Sequence, residues 1–183
     1  MLITVSGEPG SGKTTVARLL ARRFRLPHVY AGDLYRREAE RRGLTLEQFI
    51  DLSERDHSID RALDAAMAER ARQGNVVLEG RLAGFIAAQE HLDALKVFLT
   101  ASEEVRARRV AEREHREWRE VLEINRTRHG SDTKRYRDIY GFDLADTSVY
   151  DVVLRTDHET PEALAEQLAT RARDRFGEAE GRQ

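Results

Sequence analysis

Eight residues constrain this chain more than any others: Gly7-Glu8-Pro9-Gly10-Ser11-Gly12-Lys13-Thr14 fits G-x-x-x-x-G-K-[ST] in full. The run lies between a short β-branched segment, Leu2 to Ser6, and a stretch from Lys13 to Phe24 with Val16, Leu19, Leu20 and Phe24 at helical spacing. Strand, glycine-rich loop, helix is the context in which the motif has physical meaning. Glycines let successive backbone N–H groups turn inward around a phosphate, and the helix N-terminus adds unpaired donors and a positive dipole end. Gly7, Glu8, Pro9, Gly10, Ser11, Gly12, Lys13, Thr14 and the adjoining Thr15 are therefore the expected ATP-binding residues. Lys13 is expected to reach the β- and γ-phosphates, and the Thr14 hydroxyl to ligate Mg²⁺.

The rest of the chain reads as further strands and helices in alternation. Residues 27–30, 75–79, 95–99 and 150–154 are short apolar strand candidates. Helices are expected over 33–42, 45–53 with Thr45 as N-cap, and 58–72. One long or two shorter helices should cover 102–128, with another over 132–140. Thr160 and Pro161 open a last helix that carries Leu164 and Leu168 inward and ends at Gly177. Five apolar strands separated by helices describe an α/β fold, a five-stranded parallel sheet with helices on both faces. The whole of 1–177 reads as one domain, and 178–183 as a frayed tail. The stretches 33–73 and 101–140 hold more helix than a simple crossover needs, so both read as insertions at the ligand-binding edge of the sheet.

Composition removes several function classes. There is no cysteine, which excludes a disulfide framework, a zinc-thiolate site and a thiol nucleophile. Basic and acidic residues nearly balance, 31 against 33, where a dedicated nucleic-acid binder would show a basic excess. Neither a membrane span nor a secretory leader is legible, so a cytoplasmic location is expected. Lysine occurs only at positions 13, 96 and 134, so the lysine of the phosphate loop stands out in a chain that otherwise uses arginine.

Other kinds of phosphate-loop protein fit less well. The only asparagines are Asn75 and Asn125, and neither starts the N-K-x-D run of a guanine site. A motor ATPase would end its third strand in two acids, whereas Leu78 leads to the single acid of Glu79-Gly80-Arg81. Small size, helical insertions and scattered arginines favour a small-molecule kinase, since a guanidinium holds a phosphate by two hydrogen bonds. Another small kinase acting on an alcohol, with Asp33 as base, and an RNA-binding ATPase using segment 106–137 stay open at this point.

Several further segments carry a resemblance. Gly7 to Thr14, Ala31-Gly32-Asp33-Leu34-Tyr35-Arg36, Glu79-Gly80-Arg81-Leu82-Ala83-Gly84, Lys134-Arg135-Tyr136, Ile139-Tyr140-Gly141 and Asp146 to Asp151 together resemble the archaeal-type cytidylate kinases. The resemblance spans nearly the whole chain. It implies transfer of the γ-phosphoryl group of ATP to CMP or dCMP with Mg²⁺, by a monomer that needs no nucleic acid or membrane. It also implies the nucleoside monophosphate kinase fold, with a helical monophosphate-binding insertion, here about 33–73, and a lid, here about 109–128.

By the same resemblance, Arg36 and Arg81 grip the acceptor phosphate. Arg128, Asp132 and Arg135 hold the cytidine and its phosphate, with Asp132 accepting from the exocyclic amine of cytosine. Arg109 and Arg113, four apart on one helical face, are the lid cations that join Lys13 in catalysis. Ala31 and Leu82 depart from the bacterial pattern, which has Ser and Asp there. Asp33 reads equally as a helix cap, Glu79 as an outer Mg²⁺ acceptor or a partner of Arg81, and Trp118 as a packing anchor. Asp60 and Asp64, four apart on the insertion helix, read either as nucleoside contacts or, by the stronger reading, as surface.

Overall fold

The computed structural model describes residues 1–177, so the expected tail at 178–183 lies outside the described residues. Five strands, β1 (Leu2–Gly7), β2 (His28–Tyr30), β3 (Val76–Glu79), β4 (Leu95–Thr100) and β5 (Val152–Arg155), form one sheet in the order β2-β3-β1-β4-β5. Every pairing is parallel. The central strand β1 is buried along its whole length, as its unbroken apolar start requires.

Alternation along the strands sorts side chains between two cores. Ile3, Val5, Val97 and Leu99 meet α1 (Lys13–Phe24) and α8 (Pro161–Phe176) through Val16, Leu20, Leu164 and Leu168. Leu2, Val76 and Leu78 meet α4 (His57–Arg72) and α5 (Ala83–Gln89) on the other face, through Met67, Ala71, Phe85 and Ile86. The sheet is thus covered on both sides, as the strand pattern predicts.

The insertions have small cores of their own. α2 (Ala31–Arg41), α3 (Leu46–Arg55) and α4 enclose Ala39, Phe49 and Ile59. Thr45 and Gln48 form a reciprocal capping box at the start of α3, which fixes the expected boundary. α6 (Glu103–Glu114) and α7 (Trp118–Tyr140) pair as a hairpin around Ala107, Val110 and Val121. Trp118 anchors it, its ring facing the guanidinium groups of Arg108 at 4.3 Å and Arg119 at 4.9 Å.

Several elements differ from the sequence reading, among them α2, which starts two residues early, at Ala31. The break in the charged stretch falls at His115, which takes a left-handed φ of 54°, while the chain runs as helix straight through 128–132. Gly130 in a helix costs only about 1 kcal/mol against Ala, and Asp132 and Arg135 turn inward on the same helix. α5 was not expected: seven residues with no side-chain cap leave too short a periodic signal. β5 begins two residues late because the Tyr150 amide donates to the Thr147 carbonyl at 3.1 Å in a turn, while its ring packs against Phe98 and Phe85.

Candidate active site

The phosphate loop joins the buried end of β1 to the first turn of α1. A side chain at Gly7 (φ 144°) would lie 2.1 Å from the Leu99 carbonyl oxygen, and one at Gly10 (φ 80°) 2.3 Å from that of Arg106. The loop therefore sits directly against the backbones of β4 and α6, which only glycine permits. Gly12 caps α1 with no side-chain hydrogen bond, leaving the first N–H groups open to a ligand. Glu8 turns its carboxylate outward to Thr100 Oγ1 at 3.1 Å and Arg106 Nη2 at 3.1 Å, so only its backbone belongs to the cradle. Pro9 is half-buried in the turn, Ser11 is buried, and Thr15 is exposed beside Thr14.

Two functional side chains leave this loop. Lys13 donates from Nζ to the Glu8 carbonyl at 2.7 Å, curling back over the loop. Burial lowers its pKa to about 7, opposed by Glu79 and reinforced by Arg81 and Arg128. Thr14 donates from Oγ1 to Glu79 Oε1 at 2.6 Å. The Glu79 side chain is only 1% exposed, and its other oxygen meets His28 Nε2 at 2.9 Å. A hydroxyl backed by a buried carboxylate fits Mg²⁺, which takes few protein oxygens and completes its shell with water and substrate phosphate. Glu79 thus serves Thr14 and His28 and is not the partner of Arg81.

A second cationic group lies within electrostatic reach of Lys13. Arg81, just past β3, pairs with Asp132 of α7. Asp132 takes Arg135 Nη2 at 2.7 Å on its other oxygen, and Arg135 Nε lies 3.1 Å from Asp60 of α4. All four side chains are at most 13% exposed. Arg135 also lies over the Tyr136 ring at 5.1 Å. The Nη2 of Arg81 is buried without a partner. A buried guanidinium with an unused donor is costly alone and fits a bound anion. Arg128 is exposed, pairs with no acid among the described residues, and is near enough to Lys13 and Arg81 to lower both their pKa values.

The remaining expected residues are placed less centrally. Arg36 bridges Asp33 at 3.1 Å and covers the Tyr30 ring at 5.3 Å, half-exposed at the cleft edge. Arg109 is committed beneath the loop: it donates to Thr156 Oγ1 at 2.8 Å, Thr156 O at 2.6 Å and Gly10 O at 3.5 Å. Arg113 is exposed, and its one ion pair among the described residues is with the adjacent Glu114. Asp132 sets one oxygen against Arg81 and the other against Arg135.

Asp60 and Asp64 are not on the surface. Asp60 is 4% exposed, and half-buried Asp64 accepts from Tyr140 Oη at 2.7 Å. Burial raises the pKa of Asp64 to about 6, with Asp60 adding to the effect and Tyr140 and Arg135 opposing it. The available signal was that both acids share a helical stripe with Met67, Ala68 and Ala71, whose side chains enter the core. Tyr136 and Tyr140 lay in segments that carry the resemblance, whereas His28 offered no signal.

A phosphate loop at the middle of a parallel sheet, with a lysine, a threonine and a second cluster of buried arginines, defines a kinase of the phosphate-loop class. The fold agrees: shikimate kinase from Aquifex aeolicus superposes with a TM-score of 0.60 at 20% identity, over 97% of this chain and 99% of that one. Residues 2–158 match the cytidylate kinase-like family, and the chain belongs to it. It is 47% identical over 163 residues to a cytidylate kinase of Methanopyrus kandleri, covering 85% of this chain and 84% of that protein. It is 42% identical over 167 residues to one of Halobacterium salinarum, covering 91% and 86%. Among the described residues, no helix is long and apolar enough to cross a membrane.

Proposed function

We propose that this protein transfers the γ-phosphoryl group of ATP to CMP, and to dCMP, giving the diphosphate and ADP. The observation that carries this reading is the buried Arg81–Asp132–Arg135 cluster, a second anion site beside the phosphate loop. The relatives named cytidylate kinase support CMP as the acceptor.

The chemistry asks for position and charge, with little covalent work from the protein. The acceptor phosphate is already an anion at neutral pH, so no general base is needed. Backbone N–H groups from Gly7 to Thr14 hold the donor phosphates, and Lys13 neutralises charge on the γ-phosphate. Arg81, Arg135 and Arg128 hold the acceptor phosphate, with Arg36 approaching from the edge of the insertion. Thr14, backed by Glu79, would hold Mg²⁺, which supplies a Lewis acid at the donor phosphates.

In this reading α2 to α4, about 33–73, form the monophosphate-binding part, and about 109–128 form a lid. Closure excludes water and brings Arg113 toward the transferring group, while Arg109 bears on the loop. The protein acts as a monomer in the cytoplasm, without nucleic acid, and sedimentation checks the first of these. The test of the reaction is ADP release from Mg·ATP with CMP, dCMP, UMP, AMP or GMP, against water alone. Turnover strongest with CMP or dCMP is expected, and no monophosphate exceeding the water blank would refute the reading.

A further inference from the structure

Asp64 is the one acid of the cleft group that faces no cation directly. Asp132 is held by Arg81 and Arg135, and Asp60 by Arg135. Asp64 has only the neutral hydroxyl of Tyr140, on a single oxygen, Oδ2. Its second oxygen has no hydrogen-bond partner among the described residues. Asp64 is half-buried, and this second oxygen is not shut away from solvent as Asp60 Oδ2 is, so it stays open to a donor from outside the protein.

Successive contacts link the charged groups, starting beside the phosphate loop. Lys13 lies within electrostatic reach of Arg81, Arg81 pairs with Asp132, Asp132 with Arg135, and Arg135 with Asp60. Asp64 follows Asp60 by one helical turn, roughly 6 Å between side chains. The arginines suit a phosphate, and Asp64, an acid beside them that no cation holds, suits the base of the same monophosphate. Tyr136 of α7 is close enough to Asp64 and Arg81 to respond to both.

We propose that Asp64, oriented by Tyr140, determines base specificity by accepting the exocyclic amine of a cytosine base. The assignment rests on the reading of this protein as a CMP kinase and moves base recognition from Asp132 to Asp64. An amine donates to the free carboxylate oxygen. Uracil presents a carbonyl at the same place, and two acceptors repel. A site built for a donor rejects an isostere lacking it, because its own polar group is then left unpaired.

Asp64 also titrates in a useful range, since burial places its pKa at about 6. The ionisable groups that bear on it are Asp60 on its own helix and Arg135, Tyr136 and Tyr140 on α7. Tyr35 of α2 bears on Asp60 and Arg135. Below about 6 the acid is protonated and donates to a uracil carbonyl; above it the carboxylate accepts only from cytosine.

The experiment compares kcat/KM for CMP and UMP in the wild type and in Asp64→Asn, which keeps the shape and an acceptor for Tyr140. The CMP to UMP ratio is expected to fall roughly 10- to 100-fold in the variant, the size of one well-made base contact. Loss of both activities in equal proportion would mean a structural clamp between α4 and α7 and would overturn the proposal. The wild-type ratio measured against pH needs no variant. It should drop as pH falls through about 6, and Tyr140→Phe should move that drop to higher pH by removing the bond that favours the anion. A ratio flat in pH and also unchanged in Asp64→Asn would overturn the proposal. If the wild type does not use CMP at all, the reaction itself is misread and this assignment falls with it; CMP turnover with an unchanged ratio defeats the assignment alone.

Discussion

Thr14 donates its hydroxyl to the buried Glu79 carboxylate at 2.6 Å, tying the first turn of α1 to the end of β3. Residues 65 apart in sequence thus share one oxygen-rich site, placed by the register that sets Val5 beside Glu79. Glu79→Gln keeps the volume and removes the charge. Turnover should fall at least about tenfold, with a raised Mg²⁺ requirement, because an amide holds a cation-bound hydroxyl less well. Initial rates titrated against Mg²⁺ check this, and an unchanged Mg²⁺ dependence would remove Glu79 from the site.

The Arg81–Asp132–Arg135 cluster is expected to act on the acceptor alone. Arg135→Lys keeps the charge but loses the planar fork, so it cannot hold Asp132 and a phosphate together. The KM for the monophosphate should rise by about tenfold or more, with the KM for ATP little changed. Two-substrate kinetics separate the two.

Arg109 and Arg113 should part company when each is replaced by Ala. Arg109 holds the Thr156 carbonyl and hydroxyl beneath the phosphate loop, so its loss should cost about 1 to 3 kcal/mol of stability. Arg113 is exposed, so Arg113→Ala should melt like the wild type. If it is a lid cation, kcat falls roughly 10²- to 10³-fold without a change in melting. Urea unfolding beside kcat distinguishes the two roles.

Asp64 also predicts a pH dependence of stability. Its folded pKa of about 6 lies above the ordinary carboxylate value of 3.8. The unfolded chain therefore releases this proton first as pH rises, and the native state loses stability between about 4 and 6, then levels off. At neutral pH the ligand-free protein carries a penalty of roughly 2 to 3 kcal/mol from this group. Asp64→Asn should be more stable than the wild type at pH 7, and the difference should shrink toward pH 4. Equal differences at both pH values would show that burial does not shift Asp64.

Much of the scaffold was legible because its causes are local. Thr160 and Pro161 open α8, Thr45 and Gln48 box the start of α3, and glycines shape the loop, each acting within a few residues. The sheet followed from strands apolar enough to be covered on both faces. The helix break was misplaced because His115 takes a left-handed φ with no composition cue, while Gly130 suggests a stop that packing overrides.

The sequence by itself determined that this chain holds a triphosphate on a parallel sheet, because the phosphate-binding residues are contiguous and their geometry follows from backbone chemistry. Only the tertiary structure brought together the buried cluster proposed as the acceptor site. Asp60, Asp64, Arg81, Asp132, Arg135 and Tyr140 come from three parts of the chain, and charge alone does not separate them from the solvated residues around them. Burial does: between α4 and α7 the acids lose solvating water, so Asp60 and Asp132 face guanidinium groups and Asp64 takes the Tyr140 hydroxyl, contacts no local pattern announces.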